Sequence, residues 1–180
     1  MSLRLKLKVV TRFDVDVSEL SIFVDGREIG ARFHVAHRIS NGGYGLERLH
    51  GHTYEIKLNV SGNVEAGFLI PFEELMRIML ECTSQLNNKV LLPDGGGNVA
   101  KSENGSITFV SADGRRYMFP KADVAILPVG EVTAEALATY LLKEICERIR
   151  GSEKKSERIS TVELTLWEGN ERGVQARSSL

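Results

Sequence analysis

Residues 33–52 read FHVAHRISNGGYGLERLHGH, and this stretch holds all four histidines of the 180-residue chain: His34, His37, His50 and His52. His50-Gly51-His52 places two imidazoles two positions apart. On a strand, side chains at i and i+2 leave the same face, so both rings aim at one point. Gly51, lacking a side chain, admits close approach of another backbone. Phe33, Val35 and His37 share one parity and His34 lies on the other. If 31–38 pairs antiparallel with 49–60, His37 or His34 faces the His50/His52 pair, and spacing alone does not choose between them. Three neutral imidazoles with an open fourth position are the arrangement of a catalytic zinc. The plainer alternative is a set of surface or hydrogen-bonded histidines.

Strand signals surround this stretch. Residues 3–10 alternate apolar and charged, the period of a half-buried strand. Asp25-Gly26 stands between two short apolar runs and predicts a two-residue hairpin. A turn-rich loop is expected from Ser40 to Gly45, and 49–60 returns to strand, with Tyr54, Ile56, Leu58 and Val60 on one parity. Pro71 suits the first turn of a helix whose apolar stripe runs Phe72, Leu75, Met76, Met79 and Leu86. Segment 89–130 reads as an inserted loop and hairpin, with Asp113-Gly114 as the turn. Thr133 is a good N-cap for a second helix, and Gly151 ends it. After a polar connector at 152–157, a last strand pair is expected over 160–167 and 172–177. The order of elements gives an α+β class with mainly antiparallel pairing in a single domain over residues 1–180, of which 1–28 is an N-terminal extension.

Lys plus Arg is 23 and Asp plus Glu is 24, a net charge of −1, and 42% of residues are hydrophobic. That is an ordinary soluble composition. It argues against a nucleic-acid partner, which needs clustered excess cation, and no apolar run approaches the ~20 residues of a membrane span. Cys82 and Cys146 form no C-x-x-C and sit in apolar helical patterns, so they read as reduced core thiols in a cytoplasmic compartment.

Four segments in order resemble the 6-pyruvoyl-tetrahydropterin synthase and 6-carboxy-tetrahydropterin synthase family: Phe33-His34-Val35-Ala36-His37, His50-Gly51-His52, Val132-Thr133-Ala134-Glu135 and Leu166-Trp167-Glu168. The resemblance implies a tunnelling fold, an antiparallel β-sheet with two helices that assembles into an oligomeric barrel, usually a homo-oligomer of trimers or hexamers. It implies Zn2+ held by His37, His50 and His52, and a small-molecule pterin substrate anchored by Glu168. Thr133 and Glu135 match residues near the substrate. Each also has a bland role, Thr133 as N-cap and Glu135 as a first-turn acid.

The sequence departs from that family twice. Leu46 stands where the family carries a catalytic cysteine, and Glu47 follows it, giving Glu47-x-x-His50-Gly51-His52. This resembles a variant in which Glu replaces Cys, associated with cleaving the side chain of 7,8-dihydroneopterin or its triphosphate to 6-hydroxymethyl-7,8-dihydropterin. Glu47 is then the expected base, with partial burial raising its affinity for a proton. In addition, the Asp and His of a family L-D-H segment correspond to Asn87 and Asn88 here, and neither amide is an acid or base near neutral pH. The alternatives are a 6-pyruvoyl- or 6-carboxy-tetrahydropterin synthase, and a zinc- and pterin-binding protein without catalysis.

Overall fold

The computed structural model describes residues 19–42, 45–64, 68–151 and 158–180. The expected strand at 3–10 and the connector at 152–157 lie outside the described residues. The elements run β1 (Leu20–Asp25), α1 (Gly26–Ile29), β2 (Arg32–Gly42), β3 (Gly45–Gly62), α2 (Phe72–Ser84), β4 (Lys89–Pro93), β5 (Val99–Glu103), β6 (Ser106–Val110), β7 (Arg116–Pro120), β8 (Val124–Leu127), α3 (Ala134–Arg150), β9 (Ile159–Glu168) and β10 (Arg172–Ser179). A short 3-10 turn, Lys121–Asp123, precedes β8.

One seven-stranded sheet carries the fold, in the order β10-β9-β3-β2-β4-β8, with β1 paired to β3. Its centre is β3, which is 18 residues long. That length lets one edge of β3 hold two partners end to end: β2 against residues 45–55 and β1 against 57–62. The hairpin expected at Asp25-Gly26 therefore does not form. Strands that lie end to end cannot also pair with each other, so the link between them is a step along the edge. Asp25 caps the one-turn α1 by accepting from the Arg27 N–H at 3.1 Å. Gly26 is required there, because a Cβ would lie 2.3 Å from the Ile56 carbonyl oxygen.

Pairing is mainly antiparallel, as expected, but the main sheet is mixed. β4 pairs parallel with β2, and β8 pairs parallel with β4. Segment 89–130 thus supplies two strands to the main sheet, and only its middle forms a separate three-stranded sheet, β5-β6-β7. The Asp113-Gly114 turn joins β6 to β7 as its sequence indicates. β2 and β3 extend into the stretch expected as loop, to Gly42 and from Gly45.

Two long helices, α2 and α3, cover one face of the sheet. α2 ends at Ser84, so Leu86 lies beyond it but is still buried. α3 begins where Thr133 Oγ1 accepts from the Ala136 N–H at 3.2 Å, and its buried face is Leu137, Ala138, Leu141, Leu142, Ile145, Cys146 and Ile149. These pack on the alternate residues of the central strands: Phe33 and Val35; Tyr54, Ile56, Leu58 and Val60; Val162, Leu164 and Leu166. Burying each such aliphatic side chain contributes about 1.5–3 kcal/mol. Both cysteines lie in this core, and burial pushes the Cys82 thiol up to about 11. Leu92, Ile107 and Phe109 form a second small core beneath the three-stranded sheet.

Candidate metal centre and cleft

The core-facing rows of three adjacent strands all end in polar residues at the same end of the sheet. On β2 the row Phe33, Val35 ends in His37. On β3 the row descending from Val60 to Tyr54 continues through His52 to His50. On β9 the row Val162, Leu164, Leu166 ends in Glu168. Strand register brings these ends together: His37 pairs with His50, Val35 with His52, Tyr54 with Glu168, and Glu168 with Arg172 of β10. The period of two that builds the core thus also builds the site.

The three imidazoles converge. The His37 ring centroid lies 4.7 Å from that of His50 and 5.2 Å from that of His52. One ring nitrogen from each falls in a group spanning no more than 4.8 Å, so the three could hold a metal ion. His34 is on the other face, with Nδ1 2.8 Å from Thr53 Oγ1. The parity choice left open by spacing therefore falls to His37.

Second contacts orient the rings. His37 Nδ1 lies 2.6 Å from the Val132 carbonyl, and His50 Nδ1 lies 2.6 Å from the Arg48 carbonyl. A carbonyl only accepts, so both Nδ1 atoms carry the proton and both Nε2 atoms present a lone pair. His37 Nε2 is buried and has no hydrogen-bond partner among the described residues. Burial pushes the His37 pKa below the usual imidazole range, aided by the neighbouring His50 and His52 and opposed by the Val132 hydrogen bond. A buried, neutral imidazole with an unshared lone pair, beside two others, is the donor set a divalent metal takes.

Glu47 reaches this face through an irregularity in β3. Three positions separate Glu47 from His50, and in a regular strand that odd spacing sends the two side chains to opposite faces. Here His37 pairs with His50 and Ile39 pairs with Glu47, so Arg48 and Leu49 on β3 stand opposite Arg38 alone on β2. The extra residue is a β-bulge, which turns Glu47 back to the histidine side. Its Oε2 lies 3.4 Å from His50 Nε2. The Glu47 side chain is 56% exposed in the single chain, so the partial burial expected of it is slight here.

Glu168 sits across the cleft. Its Oε1 accepts from Arg172 at 2.5 Å and lies 3.4 Å from His52 Nε2; its Oε2 accepts from the Tyr54 hydroxyl at 3.4 Å. Burial raises its pKa, but the Arg172 hydrogen bond and the charges of His52 and Arg172 outweigh this and hold it below the ordinary carboxylate range. Tyr54 is pushed up by burial and by Glu168, so its phenol stays protonated and donates.

A cleft of about 440 Å3 is lined by His37, Glu47, His52, Glu135, Glu168 and Arg172, with Ala134, Gly173 and Val174 completing its wall. That volume is in the range of small-molecule sites. Of the residues expected from sequence, Thr133 does not line the main cleft: its hydroxyl caps α3, and it lines a neighbouring groove that shares Glu135 with the cleft. Arg172, Tyr54 and the Val132 carbonyl are site groups that the sequence reading does not single out. The first could have been found from its four-residue spacing to Glu168 across a tight strand turn.

Asn87 and Asn88 do not line this cleft. Asn87 Oδ1 accepts from the His34 N–H at 2.9 Å, and the Asn88 N–H donates to the His34 carbonyl at 2.7 Å. Asn88 has a φ of 59°, a left-handed conformation that asparagine tolerates well. Together they tie the end of α2 to β2 and launch the parallel strand β4.

The sequence of residues 28–179 matches the 6-pyruvoyl tetrahydropterin synthase family. A Methanocaldococcus jannaschii protein with the provisional name 6-carboxy-5,6,7,8-tetrahydropterin synthase is 29% identical over 160 residues, covering 87% of this chain and 96% of its own. A Pyrococcus horikoshii protein of the same provisional name is 25% identical over 123 residues, covering 68% of this chain and 69% of its own. Among solved structures, the Plasmodium falciparum 6-pyruvoyl tetrahydropterin synthase superposes with a TM-score of 0.80 at 26% identity, covering 91% of this chain and 100% of that one. The Plasmodium vivax synthase with its catalytic glutamate replaced by alanine gives a TM-score of 0.80 at 24% identity, covering 90% and 99%. Fold and sequence agree, and the chain belongs to the 6-pyruvoyl tetrahydropterin synthase family.

Proposed function

We propose that the protein is a zinc-dependent lyase that cleaves the side chain of a 7,8-dihydroneopterin to give 6-hydroxymethyl-7,8-dihydropterin. The observation that carries this reading is the bulge at Arg48 and Leu49, which sets Glu47 beside His50. His37, His50 and His52 would hold the zinc, which when bound supplies a positive charge that makes a side-chain hydroxyl easier to deprotonate. Glu168 would hold the aminopyrimidinone edge of the pterin through two parallel N–H donors, a match for an ionised carboxylate. Tyr54, kept protonated, orients that carboxylate.

In this arrangement Glu47 takes the proton of the 2′ hydroxyl. The C1′–C2′ bond breaks, the 2′ carbon leaves as an aldehyde, and the electron pair passes into the N5=C6 imine of the ring. Returning a proton to C1′ completes the hydroxymethyl product and balances the step. The catalytic glutamate of the Plasmodium vivax synthase supports a carboxylate in such a role. Both thiols of this chain are buried in the helical layer, so neither lines the cleft.

The provisional names of the archaeal relatives favour a second reading, a 6-carboxy-5,6,7,8-tetrahydropterin synthase. Product analysis by mass spectrometry of zinc-loaded protein with 7,8-dihydroneopterin and its triphosphate decides between them. A 6-hydroxymethyl product with release of a two-carbon aldehyde is the expected result. A 6-carboxy or 6-pyruvoyl product, or unchanged substrate, would overturn it.

A further inference from the structure

Glu47 stands on a weakly held piece of strand. The ladder between β2 and β3 is irregular twice, at the bulge opposite Arg38 and again between Ile39 and Gly42. Among the described residues, only the pair Ile39–Glu47 lies between the two irregularities. A bulge leaves a residue unpaired and disrupts the ladder around it. Glu47, Arg48 and Leu49 are all exposed, so burial does not hold this part of β3 either. Register is weakly specified where neither face is buried. Yet a catalytic group must sit at a fixed place, since a misplacement of about 1 Å can cost about 10²-fold in rate.

The anchor is on β2. Arg38 stands opposite the bulge, between His37 and the Ile39 that pairs with Glu47. By alternation it leaves the sheet on the face away from His37. It is nevertheless buried, because the inserted sheet covers it. Its guanidinium donates to the two carboxylate oxygens of Asp113 at 2.9 and 2.8 Å, donates to the Ser111 hydroxyl, and lies over the ring of Tyr117. Ser111 and Asp113 lie in the turn between β6 and β7, and Tyr117 lies on β7. A planar fork on a carboxylate fixes direction as well as distance. A buried arginine also holds its position strongly, because leaving its partner would strand a charge away from water.

We propose that Arg38 and Asp113 are positioning residues: the inserted three-stranded sheet is a clamp that fixes β2 opposite the bulge and so keeps the Glu47 carboxylate beside His50. This rests on the reading of Glu47 as the base. Neither Arg38 nor Asp113 lines the cleft, so both act through the backbone of β2. Without the pair, β2 loses its fixed point, the Ile39–Glu47 pair opens, and the carboxylate spends less time at His50. The three histidines are less affected, because His37–His50 and Val35–His52 belong to the regular part of the ladder.

The test uses the full zinc-loaded chain as wild type, Asp113→Asn, Glu47→Gln and the double variant, at a temperature where all are folded. The substrate is whichever of 7,8-dihydroneopterin and its triphosphate wild type turns over faster. Asp113→Asn is expected to lower kcat by about tenfold or more, with KM and zinc content unchanged. In the Glu47→Gln background the same substitution is expected to cost nothing further, because the group it positions is gone. Hydrogen exchange gives a readout independent of turnover: in Asp113→Asn the amides of residues 47–50 are expected to exchange at least about tenfold faster, and those of β9 and β10 to change much less. An equal kcat loss in both backgrounds, or exchange at 47–50 that rises no more than in β9 and β10, overturns the clamp and leaves the lyase reading standing. If wild type makes no 6-hydroxymethyl product, the lyase reading falls and the exchange result alone decides the clamp.

Discussion

The Nε2 atoms of His50 and His52 face each other at 2.8 Å. The His50 Nδ1–H donates to the Arg48 carbonyl, so in the neutral ring Nε2 offers only a lone pair. Two ring nitrogens at this separation, with the buried Nε2 of His37 close by, need a proton or a cation among them.

That geometry leads to an expected metal content of about one zinc per chain, typical of a three-histidine centre. His52→Ala should lose most of it, measured by inductively coupled plasma mass spectrometry after dialysis. Chelation of wild type should lower Tm, because a metal that binds only the folded chain adds to stability. Retention of full zinc by His52→Ala would remove the centre as described.

Glu47→Ala should lower turnover of the dihydropterin by about 10²–10⁴-fold, the usual contribution of a positioned base, while zinc content stays at the wild-type level. Glu47→Gln should behave the same way, since the amide has similar bulk but cannot take the proton. Steady-state assay with parallel metal analysis separates loss of the base from loss of the metal.

The Arg38–Asp113 pair gives a pH signature. Arg38 is 3% exposed and donates to both oxygens of Asp113, at 2.9 and 2.8 Å, with its guanidinium over the Tyr117 ring at 5.5 Å. The Arg38 hydrogen bonds, with help from Ser111, hold Asp113 far below the ordinary carboxylate range. A carboxylate whose pKa is lower folded than unfolded stabilises the fold above its unfolded value of about 4, and that contribution is lost as pH falls through the lower folded value. Asp113→Asn should therefore melt several degrees below wild type at pH 7, with the gap constant down to about pH 5 and shrinking below pH 4. A gap that widened on acidification would contradict the pairing.

Gly173 follows Arg172 on β10, and a Cβ there would lie 2.7 Å from the Leu166 carbonyl oxygen and 3.2 Å from the Trp167 ring. Gly173→Ala should cost about 1–3 kcal/mol in urea unfolding, the range for overpacking. It should also weaken ligand binding, since the shift moves Arg172 relative to Glu168.

The parts of this fold readable from sequence are those set by local rules. Alternation marked the rows on β2 and β3 that end in His37 and His50, and the resemblance to a family marked Glu168. Thr133 and Gly151 marked the ends of α3, and Asp113-Gly114 marked a hairpin that forms. The signals that failed depended on distant partners. Asp25-Gly26 has hairpin chemistry, yet β1 and β2 both lie against the long strand β3, so the turn becomes a step. The parallel pairing of β4 with β2 begins at the Asn87 and Asn88 contacts to His34, β8 pairs parallel with β4, and neither pairing leaves a pattern in strands this short. Arg172 belongs to the cleft only because a tight turn returns β10 beside β9.

The bulge at Arg48 and Leu49 ties the placement of the acid to the register of the strand. Losing the bulge at constant chain length would regularise the ladder and turn the carboxylate to the face opposite His50. A residue four positions before His50 sits at the even spacing that needs no bulge. Moving the reactive group between positions 46 and 47 is therefore a change of strand register, not a point substitution alone. A chain that carried its acid at position 46 and kept the bulge would hold the three histidines together and turn the acid away from them.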